Sequence, residues 1–374
     1  MQRAFTAVSR MVFKALYALF CLRGRKDMVL FLSRQTNVPP YDFLSLGKAF
    51  EGQGYTPLYH VRKLSKRTVL RYVGHVVKEI YYLARCRLCF LDRYDPVTCL
   101  LDFKYEPVRG QQDGLYHEYP VEPIIIQLWH AFGAYKCFGY QSADTSEGLS
   151  RKTLRAFRVH RNYSWIICTG EQARKPFSEA FAYPLDRVLN LGRPEYYLLT
   201  QEKDAPPKDA AAVPTVLFAP TLRYDKAAVH PFHALYDGRA QRFASLPADM
   251  VWSFHPLENA GTATGAQYEL LSRADYVITD YSSIVYEAFL LGKKVLFYVP
   301  DIEEYRIAPG LNVDPEQEAP ALTTRQDDEL YELLEGLITG AIDYPQDALE
   351  KFIGDTFDAK PSLSSLLAFL PSRT

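Results

Sequence analysis

The sequence predicts an α/β protein made of two Rossmann-like domains, with parallel sheets that face each other across a central cleft. A length of 374 residues suits two domains of ordinary size. Short apolar runs alternate with helical stretches in both halves, as in open parallel sheets. A segment rich in proline, alanine and charge separates the halves. We therefore expect a basic amphipathic helix over 1–26, an N-terminal domain over 27–200, a linker over 201–214 and a C-terminal domain over 215–374.

The strands of both domains are predicted from short apolar runs. In the first half these runs cover 28–33, 87–91, 124–129, 165–169 and 188–191. In the second half strands begin near 215, 250, 275 and 295, alternating with helical stretches such as 268–273 and 328–339. The stretch 274–292 is the most informative, because it predicts a buried strand, a Ser-Ser turn and a helix closed by Gly292.

The first 26 residues combine positive charge with an apolar face. They contain no acidic residue, and apolar side chains recur at helical spacing. The apolar run 15–22 is far shorter than the roughly 20 residues that a bilayer span requires, and no small-residue cleavage site follows it. We expect this helix to lie on an anionic membrane surface. A second basic stretch, 63–87, is either another membrane contact or a solvated helix over the domain core. The basic residues before Asp27 are Arg3, Arg10, Lys14, Arg23, Arg25 and Lys26.

Composition and motifs exclude several functions. Lys and Arg number 43 against 44 Asp and Glu, so overall charge gives no attraction to nucleic acid. The six cysteines contain a single CxxC pair, Cys86 and Cys89, without a second pair at zinc spacing. His230 and His233 supply at most half a metal site. No GxGxxG follows a strand and no Asp-x-Asp is present. We expect reduced thiols, no metal and no cofactor.

Polar side chains follow four of the predicted strands. His130 follows the run 124–129, Thr221 and Arg223 follow the run at 215, His255 follows the run at 250, and Ser282 and Ser283 follow the run at 275. The carboxyl ends of parallel strands share one sheet edge, where ligands bind. Each feature alone has a plain structural explanation, such as a core histidine or a helix cap. Together they predict a site in which a helix N-terminus attracts phosphate and Glu287 reaches a ribose hydroxyl.

Five motifs in order resemble the CDP-glycerol glycerophosphotransferase family of teichoic acid primases and polymerases. They are WHAFGAYKCFG at 129–139, APTLR at 219–223, FHP at 254–256, TDYSSIVYE at 279–287 and FYVPDIEEY at 297–305. The resemblance implies a GT-B fold. It also implies transfer of glycerol phosphate from CDP-glycerol to a lipid-linked, undecaprenyl-type acceptor, with release of CMP, at the cytoplasmic face of the membrane.

The resemblance also implies roles for individual residues. His130 is the general base and His255 stabilises charge or acts as acid, although the two roles could be reversed. Thr221, Arg223, Ser282 and Ser283 hold the phosphates, Glu287 the ribose, and Lys136 the anionic acceptor. Asp280, Gly133 and Arg193 complete the substrate-binding set. Two departures from the family pattern, Ala308-Pro309-Gly310 and Gly192-Arg193-Pro194-Glu195, leave the transferred polyol open among glycerol, ribitol and another polyol.

Two other functions remain open on sequence grounds. A GT-B glycosyltransferase would use the same fold with a nucleotide sugar and would release UDP. A non-catalytic membrane-bound binding protein would explain the basic helices, but not two histidines and an arginine at strand ends. The motifs do not distinguish a single addition from polymerisation, and they leave the oligomeric state unknown.

Overall fold

The computed structural model describes residues 2–63, 69–106, 118–203, 213–223, 230–254, 267–358 and 363–370. Its strands form two separate parallel sheets and one short antiparallel ribbon. The strands are β1 Met28–Ser33, β2 Thr56–Val61, β3 Leu88–Leu91, β4 Lys104–Tyr105, β5 Pro120–Glu122, β6 Ile124–Gln127, β7 Trp165–Cys168, β8 Val188–Asn190, β9 Thr215–Phe218, β10 Asp249–Trp252, β11 Tyr276–Thr279, β12 Lys294–Tyr298 and β13 Thr323–Thr324.

Helices cover the faces of both sheets. The helices are α1 Gln2–Cys21, α2 Tyr41–Glu51, α3 Val69–Arg85, α4 Pro96–Leu100, α5 Arg151–Ala156, α6 Glu171–Phe181, α7 Glu195–Lys203, α8 Pro231–Phe243, α9 Gln267–Arg273, α10 Ile284–Leu290, α11 Ile302–Ile307, α12 Pro315–Glu318, α13 Asp327–Thr339, α14 Gln346–Ile353 and α15 Leu363–Phe369. None of the helices in these ranges has both the length and the apolarity to span a bilayer.

The first sheet has the order β2-β1-β3-β6-β7-β8, and every neighbouring pair is parallel. Its central strands β1, β3 and β6 are buried along their whole length, because helices cover both faces. The five strands expected from the apolar runs are all present. The sixth, β2, is half-exposed and carries Pro57, which suits an edge strand.

The second sheet has the order β10-β9-β11-β12-β13 and is also parallel throughout. The unit expected over 274–292 is present as β11, a turn at Ser282 and Ser283, and α10. Gly292 follows the helix in the left-handed region, with φ of 69°. Two parallel-sheet domains of this kind confirm the predicted α/β fold.

Helix α1 turns one face toward the N-terminal domain and the other outward. Tyr17 is buried against Phe103, with ring centroids 5.3 Å apart, and Phe20 contacts Tyr81 of α3. The opposite face is exposed and apolar, with Met11 at 68% exposure. We call this face the apolar stripe, and it consists of Val8, Met11, Val12, Ala15 and Leu19.

The segment after β6 crosses from the first domain into the second. Tyr135 is fully buried in the second core, 4.9 Å from the ring of Phe352. Lys136 forms an antiparallel bridge with Leu311, and the amide of Cys137 donates to the carbonyl of Gly310 at 2.9 Å. The two domains are therefore joined directly beside the strand end that carries His130.

The chain also returns to the first domain at its other end. Leu366 and Leu370 are fully buried in the core beneath α2, and Phe369 packs edge-on against Trp165 at 5.0 Å. The predicted C-terminal domain, 215–374, thus differs from the structure because 363–370 belongs with the first sheet. Residues 201–203 continue α7, whose Leu199 packs in the second core, and most of the predicted linker lies outside the described residues.

Candidate active site

A strained turn after β6 presents His130. Trp129 adopts φ of 61°, a left-handed conformation that is uncommon for a bulky residue. The side chain of Gln127, which is fully buried, accepts the amide of Trp129 at 2.9 Å and donates to the carbonyl of Arg93 at 3.1 Å. Gln127 therefore holds the turn and connects it to the loop after β3. Such strain is typical of functional sites.

His130 is a neutral imidazole with one ring nitrogen available. Its ring lies beside Trp129, with centroids 4.2 Å apart. Burial, and then the positive charges of Arg93 and Arg193, hold the pKa of His130 well below its usual range. Within the described parts of the chain, the buried Nδ1 atom has no hydrogen-bond partner. A buried polar atom left without a partner is costly, so it indicates a place where a ligand binds.

Arg193 is held in a buried ion-pair network between β8 and α7. Its Nε atom donates to Asp42 at 2.8 Å, and Nη2 pairs with Glu195. Asp42 also accepts the amide of Glu195 at 2.7 Å. The guanidinium lies over the ring of Phe132, 4.6 Å from its centroid. The remaining nitrogen, Nη1, is buried without a hydrogen-bond partner among the described residues.

Glu287 approaches this network from the second domain. Its Oε2 atom is buried and has no hydrogen-bond partner in the described chain. Burial and the negative charge of Glu195 raise the pKa of Glu287 to about 8, against a smaller opposing effect of Arg193. His130, Arg193 and Glu287 therefore each offer one unpaired polar atom where the two domains meet.

A second group of polar residues follows β9 and β11. Asp280 accepts the amides of Thr221 at 2.8 Å and Tyr281 at 2.7 Å, and it pairs with Arg223 at 2.9 Å. Asp301 pairs with the same nitrogen of Arg223 at 3.0 Å. Asp280, predicted to bind substrate, is thus occupied in holding the ends of two strands together.

Arg223 is fixed in position by aromatic rings as well as by carboxylates. Its guanidinium lies 4.6 Å from the ring centroid of Tyr305 and 5.2 Å from that of Tyr281, and these two rings stack at 3.7 Å. The buried hydroxyl of Thr221 has no hydrogen-bond partner in the described ranges. Together they offer a fixed cation and a free hydroxyl, which suit a phosphate.

Lys136 lies between the two groups. Its Nζ atom is 3.4 Å from the hydroxyl of Tyr305. Burial lowers its pKa to about 8, and Asp280 opposes that shift while Arg223 adds to it. The positive charge of Lys136 also contributes to the low pKa of His130. The cation is therefore close enough to influence both groups.

The remaining predicted residues are less directly informative. A Cβ atom added to Gly133 would lie 2.2 Å from the ring of Tyr286, so this glycine permits close packing between the domains. Ser282 and Ser283 are half-buried before α10, and the hydroxyl of Ser282 accepts the amide of Ile284 at 3.4 Å. His255 lies outside the described residues. Both ring nitrogens of His230 already have partners, the carbonyl of Thr221 and the amide of Phe232.

The structure adds residues that the sequence interpretation did not name as part of the site. Arg93 follows β3 just as His130 follows β6, so the strand-end rule could have found it. Asp42 lies on α2, about 150 positions from its partner Arg193, and no local pattern indicates the pairing. Gln127 is the last residue of β6 and resembles an ordinary buried strand residue in sequence.

Two facing parallel-sheet domains with polar groups at their adjoining strand ends define a protein of the GT-B type. The chain belongs to the CDP-glycerol:poly(glycerophosphate) glycerophosphotransferase family, whose model matches residues 15–352. This confirms the family predicted from the five motifs.

Curated relatives agree with that assignment. The chain is 29% identical over 272 residues to the teichoic acid ribitol-phosphate primase of Bacillus spizizenii, covering 65% of each protein. It is 25% identical over 253 residues to the teichoic acid glycerol-phosphate primase of Bacillus subtilis, covering 63% of this chain and 62% of that one. The chain thus spans less than two thirds of the length of these relatives.

A solved variant of the wall teichoic acid polymerase TagF, soaked with CDPG, has the same fold. It matches with a TM-score of 0.65 at 16% identity, covering 99% of this chain and 96% of that chain.

Proposed function

We propose that this protein transfers a polyol phosphate from a CDP-activated polyol to a hydroxyl group of a lipid-linked acceptor, releasing CMP. The observation that carries the proposal is the unpaired Nδ1 of a neutral His130 beside Arg93, Arg193 and Lys136. A general base must be unprotonated at its working pH, and an anionic donor and acceptor require nearby cations. Family membership supports the same reaction class.

In the proposed reaction His130 accepts the proton of the acceptor hydroxyl. The oxygen attacks the phosphorus that carries the polyol, and the bond from that phosphorus to the oxygen bridging the two phosphates breaks. CMP departs with the bonding electrons, and the proton on His130 passes to solvent. Arg223 and the hydroxyl of Thr221 offset the charge that develops on the departing phosphate. Because burial lowers its pKa, His130 is unprotonated and able to accept a proton, so we assign it the base role and assign the charge-stabilising role to His255.

The donor is proposed to be CDP-glycerol, with its ribose held by Glu287. The solved TagF variant was soaked with CDPG, which supports a donor of this kind. The curated relatives include both a ribitol-phosphate primase and glycerol-phosphate primases, so CDP-ribitol is the donor to compare. Arg193 and Glu195, which depart from the usual family motif, lie where they can influence this choice.

Location at the cytoplasmic face of the membrane is part of the proposal. The apolar stripe of α1 is exposed, and Lys14 lies exposed next to it. Arg71 and Lys78 are exposed on the neighbouring α3, whose opposite face packs Val76 and Ile80 into the core. An apolar face bordered by cations suits an anionic leaflet, where a lipid-linked acceptor is held.

The reaction is tested by incubating the protein with CDP-glycerol or CDP-ribitol and a lipid-linked acceptor, and measuring CMP. We expect CMP release from one of these donors and none of UDP from UDP-sugars. His130→Ala should lower the rate by at least about 10²-fold, the usual contribution of general base catalysis. His233→Ala, a histidine change in the second domain, is the matched control. Full activity of His130→Ala, or turnover of UDP-sugars alone, would refute the proposal.

Membrane contact is tested by sedimentation with anionic liposomes. The double change Met11→Asp and Leu19→Asp should release the protein, because it places charge in the apolar stripe. Ile342→Asp introduces the same charge at an exposed apolar position of the second domain and should leave sedimentation unchanged. Equal sedimentation of all three proteins would contradict contact through α1.

A further inference from the structure

A cluster of three side chains with metal-binding groups lies at the far edge of the first sheet. His75 and Glu79 are one helical turn apart on the same face of α3, and His60 lies on the edge strand β2. One ligand atom from each of the three lies within 4.8 Å of the other two. Two strands, β1 and β3, separate β2 from β6, so this cluster is not part of the site at His130.

Two of the three residues have buried atoms with no partner. His75 is 7% exposed and Glu79 is 1% exposed. Within the described ranges, His75 Nε2 and Glu79 Oε1 have no hydrogen-bond partner. Two such unpaired atoms within one cluster are energetically unfavourable in a folded protein. Both atoms have lone pairs, so a cation is the ligand that would satisfy them together.

Arg34 and Asp95 fix the position of Glu79 beside the two histidines. Arg34 pairs with Glu79 at 2.7 Å and with Asp95 at 2.6 Å. Asp95 is buried and caps α4 by accepting the amide of Thr98 at 2.7 Å.

We propose that His60, His75 and Glu79 bind a zinc ion, with water as the fourth ligand. Two imidazoles and one carboxylate form a ligand set that zinc commonly takes. In a tetrahedral site the ligand atoms lie about 3.3 Å apart, given zinc–nitrogen bonds of about 2.0–2.1 Å. His60 stacks on His75 with ring centroids 3.7 Å apart, and its Nε2 atom donates to the carbonyl of His75 at 3.2 Å. Its Nδ1 atom is therefore the one left to bind the ion, and binding requires this half-buried ring to turn off the stack.

The proposed ion braces the acceptor-side domain. It joins β2 to α3 directly, and through Glu79, Arg34 and Asp95 it reaches the loop between β3 and α4. That loop carries Arg93, whose charge acts on His130. The zinc thus has a structural role remote from the transferred phosphate, and the inference goes beyond the proposed function.

The test uses the full chain treated with EDTA, dialysed and titrated with zinc sulfate by calorimetry. Metal content is then measured by elemental analysis. We expect about one zinc per chain in the wild type, and loss of that zinc in His60→Gln and in His75→Gln. His233→Gln, which removes a histidine from the second domain, should retain it. No zinc binding by the wild type, or equal binding by all four proteins, overturns the proposal.

A second measurement does not depend on the variants folding. Cobalt added to the metal-free wild type should give the visible absorption bands of a tetrahedral site, and zinc should displace them. Zinc should also raise the Tm of the wild type, because it binds the folded state alone. Absence of both the bands and the Tm shift means that Glu79 keeps a proton in place of a metal, and rejects the site.

Discussion

Replacing Glu287 by glutamine is expected to change how the stability of the protein depends on pH. Burial and the nearby charge of Glu195 raise the pKa of Glu287 from 4.5 to about 8. The folded protein therefore binds this proton more tightly than the unfolded chain does. Glutamine has a similar shape and stays neutral, so it reports what the ionised carboxylate costs the fold.

The sign and size of the effect follow from linkage. A group with a raised folded pKa contributes stability that is complete below pH 4.5 and is lost as pH rises through about 8. Between these values the wild type should lose up to about 1.4 kcal/mol per pH unit relative to Glu287→Gln. The whole shift amounts to about 4–5 kcal/mol above pH 8, as an order of magnitude. Rising pH should thus progressively favour the variant.

The assay is urea denaturation of both proteins at intervals from pH 5 to pH 9. Glu332→Gln, an exposed position on α13, is the matched control and should follow the wild type. The test is how the difference in unfolding free energy between wild type and Glu287→Gln changes with pH, because a constant offset between them reflects only their different hydrogen bonds. A difference that stays constant across the range, or that grows in favour of the wild type, would refute the burial of an unpaired carboxyl here.

Three further outcomes are expected. Gly133→Ala should destabilise the protein by about 1–3 kcal/mol, because the new methyl group overlaps the ring of Tyr286. In a double-mutant cycle measured by thermal denaturation, Tyr286→Leu should reduce this loss of stability. Arg223→Ala should weaken CDP-glycerol binding by about 1.5–3 kcal/mol in calorimetry. The control Arg239→Ala, at an exposed position, should leave the affinity unchanged. Unchanged affinity in Arg223→Ala would mean that the diphosphate binds elsewhere. Gln127→Ala should lower kcat for CMP release with little change in the KM for the donor. Gln127→Glu keeps the oxygen that accepts the amide of Trp129, so it should recover part of the lost kcat. An increase in KM with unchanged kcat would contradict a role for Gln127 in positioning His130.

The strand ends were the predictable part of this protein. Apolar runs in a parallel sheet are buried on both faces, so their positions follow from hydrophobicity alone. The polar residue after each run must then lie at the shared carboxyl edge. The structure places His130 after β6 and Arg223 after β9, and the turn and helix after β11 are present as expected.

Contacts between distant parts of the chain were not predictable. The pairing of Arg193 with Asp42 joins residues from α2 and the segment after β8, and neither has a local signal for it. The strand β2 was missed because an edge strand that is half-exposed and contains Pro57 lacks a continuous apolar run. The amphipathic pattern of α1 was clear, but the pattern alone did not show that one apolar face packs inward while another points outward.

The return of α15 to the first sheet has a consequence for the order of folding during synthesis. The face of that sheet beneath α2 is completed by Leu366 and Leu370, which leave the ribosome long after β8. The first domain therefore emerges with part of its core uncovered and must wait for the second domain to be translated. Pulse-labelled chains stopped after residue 358 should remain sensitive to protease in the first domain, whereas chains extended through 370 should become resistant there.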